Sequence, residues 1–135
     1  MACIIALDVG DVRVGVARAH PVARIAEPLA TLLRQDHFWR SLAELLEAQE
    51  AELVVVGLPR NLDGDDTAQT ARVREFAKDL AQHTTLPQVF QDEALTSHKA
   101  ETELQATKKS YQKSDIDALA ATYILADYLM TQGNQ

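Results

Sequence analysis

Three acidic residues occupy positions from which they could act together: Asp8, Glu93 and Asp117. Asp8 ends an apolar, largely β-branched run over residues 4–7 and precedes a tight Gly10-Asp11 turn. A carboxylate at the end of such a strand is costly to desolvate unless it meets a cation or hydrogen-bond donors. The alternative is that Asp8 only caps the turn, as Asp often does. The residue alone leaves both interpretations open.

Glu93 and Asp117 each have an ordinary explanation as well. Glu93 follows a predicted strand over residues 88–92 and could be a solvated acid at a strand end. Alternation along that strand predicts that Asp92 and Glu93 face opposite sides of the sheet. Asp117 could complete a capping box with Ser114, where acids also suit the helix dipole. It also lies one turn before the small residues Ala120 and Ala121, so it could face a sheet edge.

If the three acids meet at one edge, they form a hard, oxygen-rich site. Such donors suit Mg²⁺ or Mn²⁺. A cluster of carboxylates around two such ions is an arrangement used to hydrolyse phosphodiester bonds. Three basic residues near the proposed edge, Arg13, Arg60 and Lys99, are the predicted phosphate contacts.

The composition limits the alternatives. The chain has 135 residues. Its one cysteine, Cys3, excludes an internal disulfide, and its four histidines are scattered without the spacing of a metal site. No apolar run approaches the roughly 20 residues that span a bilayer, so a single cytoplasmic domain over residues 1–135 without a membrane partner is expected. The net charge of −7 disfavours nucleic acid at first sight, but residues 36–93 carry all of this excess.

The pattern of elements predicts the scaffold. A hairpin over residues 3–8 and 12–19 is followed by a third strand near 29–33, where Pro28 suits an edge strand. The later elements are a helix over 36–51 with Asp36 as N-cap, a strand at 53–56, a polar loop at 60–66, a helix from Thr67 to about 80, a strand at 88–92, a helix over 96–107, a polar break at 108–113, a helix from Ser114, and a frayed tail at 131–135. This order predicts an α/β fold with a mixed five-stranded sheet, three strands antiparallel and two parallel, flanked by helices.

Motifs along nearly the whole chain resemble those of the YqgF (RuvX) family, whose members are Holliday junction resolvase-like and described as candidate pre-16S rRNA nucleases. The matching motifs are Ala6-Leu7-Asp8-Val9-Gly10 with Arg13-Val14-Gly15-Val16-Ala17, Pro28-Leu29 with Thr31, Val56-Gly57-Leu58-Pro59, Asp63-Gly64 with Phe76-Ala77, Asp92-Glu93-Ala94-Leu95-Thr96-Ser97, and Ile116-Asp117-Ala118-Leu119-Ala120-Ala121 with Ile124-Leu125. The chain departs from the family in carrying Ala94 where an Arg is usual, and His20 where an acid is frequent.

The resemblance implies an RNase H-like fold and an acidic metal site made of Asp8, Glu93 and Asp117, with Asp115 as a nearby reserve. It also implies cytoplasmic maturation of the 5′ end of 16S rRNA. We therefore expect a metal-dependent endonuclease that uses Mg²⁺ or Mn²⁺, contacts pre-rRNA and ribosomal particles, and acts as a monomer or weak homodimer.

Three alternatives remain at the level of sequence. The first is a Holliday junction resolvase-like nuclease that cuts branched DNA. The second is a non-catalytic module that binds nucleic acid or ribosomes, in which the acids are structural caps. The third is a phosphotransferase of the actin and sugar-kinase type, which shares a similar hairpin but needs two such domains around a cleft.

Overall fold

Five strands form one mixed sheet in the computed structural model, which describes residues 2–61, 63–93 and 113–133, with the side chains of 113–115 and 133 outside the description. The elements of the described chain are β1 (Cys3–Val9), β2 (Arg13–Ala19), β3 (Ala26–Leu33), α1 (Phe38–Ala48), β4 (Ala51–Pro59), α2 (Ala68–Leu80), β5 (Gln88–Glu93) and α3 (Lys113–Gly133). The predicted helix over 96–107 and the break after it lie outside the described residues.

The strand order is β3-β2-β1-β4-β5. The first three strands pair antiparallel, whereas β4 pairs parallel with both β1 and β5. This arrangement confirms the predicted mixed sheet of three antiparallel and two parallel strands. Because β1, β4 and β5 run in the same direction, their carboxyl ends lie along one edge of the sheet, together with the start of β2.

Helices cover both faces of the sheet. One face packs under α1 and α2 around large apolar side chains, among them Ile5, Leu7, Val56 and Phe76. The other face packs under α3, and the core between them is rich in small residues, including Ala6 and Ala17 of the sheet and Ala121 of the helix. Small side chains allow a helix to lie close to a sheet, so α3 comes nearer to the strand backbones than a leucine-rich helix could.

Strand β3 is longer than predicted. It begins at Ala26 and includes Pro28, which pairs with Ala17. The register shifts between Val16 and Ala17, so one extra residue on β3 is accommodated beside the proline. A proline is tolerated here because β3 is an edge strand, where the missing N–H costs no ladder hydrogen bond.

Of the predicted N-caps of α1 and α2, the second agrees with the structure and the first does not. Helix α1 begins at Phe38 with His37 as N-cap and no side-chain cap bond, so the predicted N-cap Asp36 is wrong. Helix α2 does begin after Thr67, whose hydroxyl accepts from the Thr70 amide in a capping box. The Thr70 hydroxyl also donates to the carbonyl of Pro59, which ties the start of α2 to the end of β4.

Helix α3 extends through Gly133, so residues 131–133 of the predicted frayed tail are helical. It lies across β1, β2 and β3 and also touches β4 and β5. None of the helices in the described part of the chain has the combination of length and apolar character needed to cross a bilayer.

Candidate active site

Asp8 lies near the end of β1, paired with Gly15 of β2. By strand alternation its side chain shares the face of Ile4 and Ala6, which α3 covers. Burial, and to a lesser extent the neighbouring carboxylate of Asp117, raise the pKa of the Asp8 carboxyl from 3.8 to about 7. Within the described part of the chain, burial and a neighbouring like charge thus both disfavour the charged form of Asp8.

Asp117 lies in the first turns of α3, and its side chain is bound by Arg13. The Arg13 Nε donates to Asp117 Oδ2 at 2.7 Å, with the two side chains 28% and 21% exposed. Arg13 stands on the same face of β2 as Gly15 because the two residues are two positions apart. This oxygen of Asp117 therefore forms an ion pair with an arginine of the sheet.

Gly15 determines how closely α3 approaches. A Cβ on Gly15 would lie 1.9 Å from the carbonyl oxygen of Asp117 and 2.9 Å from the amide nitrogen of Ala118. Any side chain would therefore push the helix away from the sheet. Gly15, the residue opposite Asp8 in the hairpin, is consequently the one whose missing side chain leaves room for the backbone of Asp117.

The turn that follows Asp8 is braced by neighbouring elements. The Gly10 amide donates to the Arg13 carbonyl at 2.8 Å, and Arg34 Nη1 donates to the Gly10 carbonyl at 3.0 Å. The Arg34 guanidinium lies above the ring of Phe76, 5.2 Å from its centroid. An exposed ion pair at 3.2 Å joins Arg72 of α2 to Asp11 of the same turn.

Glu93 ends β5, where it pairs with Pro59, and is partly buried. It lies on the face of Val89, which packs with the core beneath α3. Asp92 points to the other face, where Arg60 Nε lies 3.2 Å from its Oδ1. The predicted opposition of Asp92 and Glu93 is confirmed. Glu93 therefore shares a face and an edge with Asp8, two strands away.

Within the described residues, two of the three predicted ligands lie together. Among residues 2–61, 63–93 and 113–133, no group of three or more His, Cys, Asp or Glu is arranged to hold a metal ion. Asp8 and Asp117 are the pair that interact. The side chain of Asp115 and the whole of Lys99 lie outside the described residues.

Arg60, a predicted phosphate contact, is engaged within the loop that follows β4. Its Nη1 donates to the Gly64 carbonyl at 3.2 Å and lies 3.4 Å from Asp66, in addition to the contact with Asp92. Arg74 also pairs with Asp66, and this bond holds the pKa of Asp66 below its usual range. Arg60 thus organises the 60–66 loop beside the carboxyl end of β4.

Sequence reasoning missed Gly15 and the pairing of Arg13 with Asp117. A glycine inside a β-branched run is a signal for close backbone approach, and the hairpin register places it opposite Asp8. The partner of Arg13 could not be found in the same way, because it lies 104 residues further along the chain.

The strand order and the helices on both faces of the sheet define an RNase H-like fold. The structure is similar to that of Thermus thermophilus RuvC in complex with a Holliday junction substrate, with a TM-score of 0.56, 14% identity, and coverage of 97% of this chain and 96% of that one. It is also similar to the fowlpox virus resolvase with its Holliday junction DNA, with a TM-score of 0.55, 11% identity and coverage of 96% and 98%. At these identities the likeness concerns the fold.

The chain belongs to the RuvX family, described as Holliday junction resolvase, whose profile matches residues 2–131. A relative from Crocosphaera subtropica is 42% identical over 127 residues, covering 91% of this chain and 89% of its own. Relatives from Sulfurihydrogenibium sp. and Caldanaerobacter subterraneus are each 36% identical, covering 96% and 97% of this chain and 90% and 98% of their own. All three carry the name of a candidate pre-16S rRNA nuclease. The predicted family and the RNase H-like fold are confirmed.

Proposed function

We propose that the protein is a divalent-metal-dependent endonuclease that hydrolyses phosphodiester bonds at the 5′ end of pre-16S rRNA, in the cytoplasm and in contact with ribosomal particles. The observation that carries this proposal is the partly buried Asp8 beside Asp117 at the carboxyl edge of the sheet. Membership of the RuvX family and the names of the relatives support the substrate class.

The carboxylates fit a hard divalent cation. The Asp117 carboxylate disfavours the charged form of Asp8, and a cation between the two side chains would remove that cost. Mg²⁺ commonly uses one or two protein carboxylates and completes its shell with water and substrate phosphates. Asp8 and Asp117 would hold Mg²⁺ or Mn²⁺, with Glu93 as the proposed third ligand and Asp115 next to it in the helix.

The bound metal would lower the pKa of a water molecule and stabilise the charge that develops on the phosphate. The chain's own residues then have separate tasks. Asp8 and Asp117 fix the position of the ion, and the close contact at Gly15 keeps the helix that carries Asp117 against the sheet. Arg13, Arg60 and Lys99 are the proposed phosphate contacts, acting on a strand that runs along the edge.

A second candidate function is the cutting of branched DNA. It is favoured by the description of the family as Holliday junction resolvase and by the resolvase fold. Phosphodiester hydrolysis at the same carboxylates serves either substrate, so the two candidates differ in the nucleic acid and not in the chemistry. A non-catalytic binding module is the remaining alternative.

The test uses two labelled substrates in parallel: single-stranded RNA with a 16S precursor 5′ end, and a four-way DNA junction. Each is incubated with Mg²⁺, Mn²⁺ or EDTA and with wild-type protein, Asp8→Asn or Asp79→Asn. Asp79 is an exposed acid on α2 and serves as the matched control. We expect metal-dependent cleavage of the RNA that Asp8→Asn abolishes and Asp79→Asn retains.

The other outcomes are equally informative. Cleavage of the junction alone would replace the RNA proposal by the DNA one. Folded wild-type protein that cuts neither substrate in Mn²⁺, yet binds RNA as well as Asp8→Asn does, would support the binding module.

A further inference from the structure

Arg13 occupies one of the carboxylates that the proposed metal requires. Its Nε lies 2.7 Å from Asp117 Oδ2, while both side chains remain partly exposed. A guanidinium and a divalent cation compete for the same oxygen, and their charges repel each other. The ion pair and a cation bound through this oxygen therefore oppose each other.

The backbone of Asp117 is positioned independently of the bond between Arg13 and the Asp117 side chain. Its backbone carbonyl rests against Gly15, where a Cβ would meet it at 1.9 Å. The Ala120, Ala121 and Ile124 side chains anchor the following turns of α3 in the core. Arg13 can consequently leave the carboxylate while the carboxylate stays beside Asp8.

Two other described arginines at this edge have different ion-pair partners. Arg60 is held by Asp66, Asp92 and the Gly64 carbonyl. Arg72 pairs with Asp11, and both of those side chains are largely exposed, at 57% and 72%. Of these three, Arg13 is the arginine whose ion-pair partner is a proposed metal ligand.

We propose that Arg13 is an exchangeable counter-ion: it neutralises Asp117 while no cation is bound, and a divalent cation displaces it and frees its guanidinium for a phosphate of the nucleic acid. This inference rests on the proposed function. It makes cation and nucleic acid raise each other's affinity, because each favours the state in which Arg13 has left Asp117. The exchange also requires that removal of Arg13 strengthens cation binding.

The first experiment measures Mn²⁺ binding to metal-free protein by electron paramagnetic resonance of the free ion. Three proteins are compared: wild type, Arg13→Gln, and Arg72→Gln as a control that removes one positive charge from the same edge. We expect Arg13→Gln to bind Mn²⁺ about tenfold more tightly, and Arg72→Gln to stay within about twofold of wild type because its pair is exposed.

The second experiment measures the affinity of a labelled RNA by fluorescence anisotropy, with and without Ca²⁺, while gel electrophoresis checks that the probe is intact. Ca²⁺ is expected to raise the RNA affinity of wild type and of Arg72→Gln. The same increase should be strongly reduced in Arg13→Gln, because no guanidinium is released in that variant.

The outcomes separate this inference from the function on which it rests. Mn²⁺ binding to folded Arg13→Gln that equals or is weaker than that of wild type would overturn the exchange, while leaving the nuclease intact. Wild-type protein that binds no Mn²⁺ would overturn the metal-dependent function itself. If Arg13→Gln does not fold, Arg13→Lys decides the matter: its ammonium pairs less well with the carboxylate, so Mn²⁺ binding must still tighten, by about threefold.

Discussion

Gly15 and the backbone of Asp117 touch so closely that a β carbon on Gly15 would lie 1.9 Å from the Asp117 carbonyl oxygen. Gly15 is also the partner of Asp8 in the hairpin. One glycine therefore relates the strand that carries the first acid to the helix that carries the second. The spacing of the two carboxylates follows from this contact.

Replacing Gly15 by alanine is expected to displace α3 and separate Asp117 from Asp8. Overpacking against a backbone atom typically costs about 1–3 kcal/mol of stability, and cleavage should fall more than the stability loss explains. Urea denaturation and the RNA cleavage assay measure the two effects. The control is Gly64→Ala, at a site with φ of 81° and no atom within 4 Å of the new Cβ, which should cost only about 1 kcal/mol. Equal stability and activity of the two variants would contradict the close-contact argument.

Asp8 should make the metal-free protein less stable as the pH rises. The folded pKa of about 7 exceeds the ordinary value of 3.8, so the folded state binds the proton more tightly than the unfolded state does. The contribution of Asp8 is fully present below pH 4, is lost between about pH 4 and 7, and amounts to at most about 4 kcal/mol. Asp8→Asn removes this dependence and should gain stability over wild type at pH 8. Urea denaturation in EDTA across this range tests it, and parallel profiles for the two proteins would refute it.

Divalent cations should stabilise the wild-type protein in a pH-dependent manner. A ligand at 100 times its dissociation constant adds about 2.7 kcal/mol to the free energy of unfolding, which raises the melting temperature by several degrees. At pH 5 the carboxyl of Asp8 is protonated and the increase with Mn²⁺ should shrink. Differential scanning fluorimetry of wild type and Asp8→Asn at pH 5 and 8 measures this. An equal Mn²⁺ shift in Asp8→Asn at pH 8 would remove Asp8 from the ligand set.

Thr70, which is not one of the proposed site residues, should contribute strongly to the free energy of unfolding. It is fully buried, donates to the Pro59 carbonyl and accepts from the Thr67 amide. Thr70→Val keeps the shape but leaves two backbone groups without their partner, which costs about 1–3 kcal/mol. The exposed Thr85 gives the control Thr85→Val, expected within about 0.5 kcal/mol of wild type. Chemical denaturation compares them, and a Thr70→Val protein as stable as wild type would contradict the role of this hydroxyl.

The sequence predicted most of the scaffold because strand periodicity is a local signal. The hairpin turn at Gly10, the capping residue Thr67 and the opposed faces of Asp92 and Glu93 all follow from near neighbours in the chain. The N-cap Asp36 was wrong because a side chain suited to capping does not determine where a helix begins; here packing places the start of α1 at Phe38.

Candidate residues for the site could be chosen from the sequence, whereas the interactions between them could not. Topology alone places Asp8 and Glu93 on one edge, since the parallel strands end there. The bond between Arg13 and Asp117 depends on how deeply α3 settles against β2, and that depth is fixed by contacts between backbone atoms. Hydrophobic patterning carries no information about such contacts.

The two acids also become available at different times during protein synthesis. Asp8 and its hairpin leave the ribosome before Asp117 and α3, which follow only after the other four strands and both other helices of the described chain. Until α3 packs against the sheet, a growing chain has Asp8 without Asp117 beside it, and it lacks the ion pair between Arg13 and Asp117. A nascent chain, held beside the RNA of its own ribosome, therefore lacks the paired carboxylates until α3 has been synthesised and has left the ribosome.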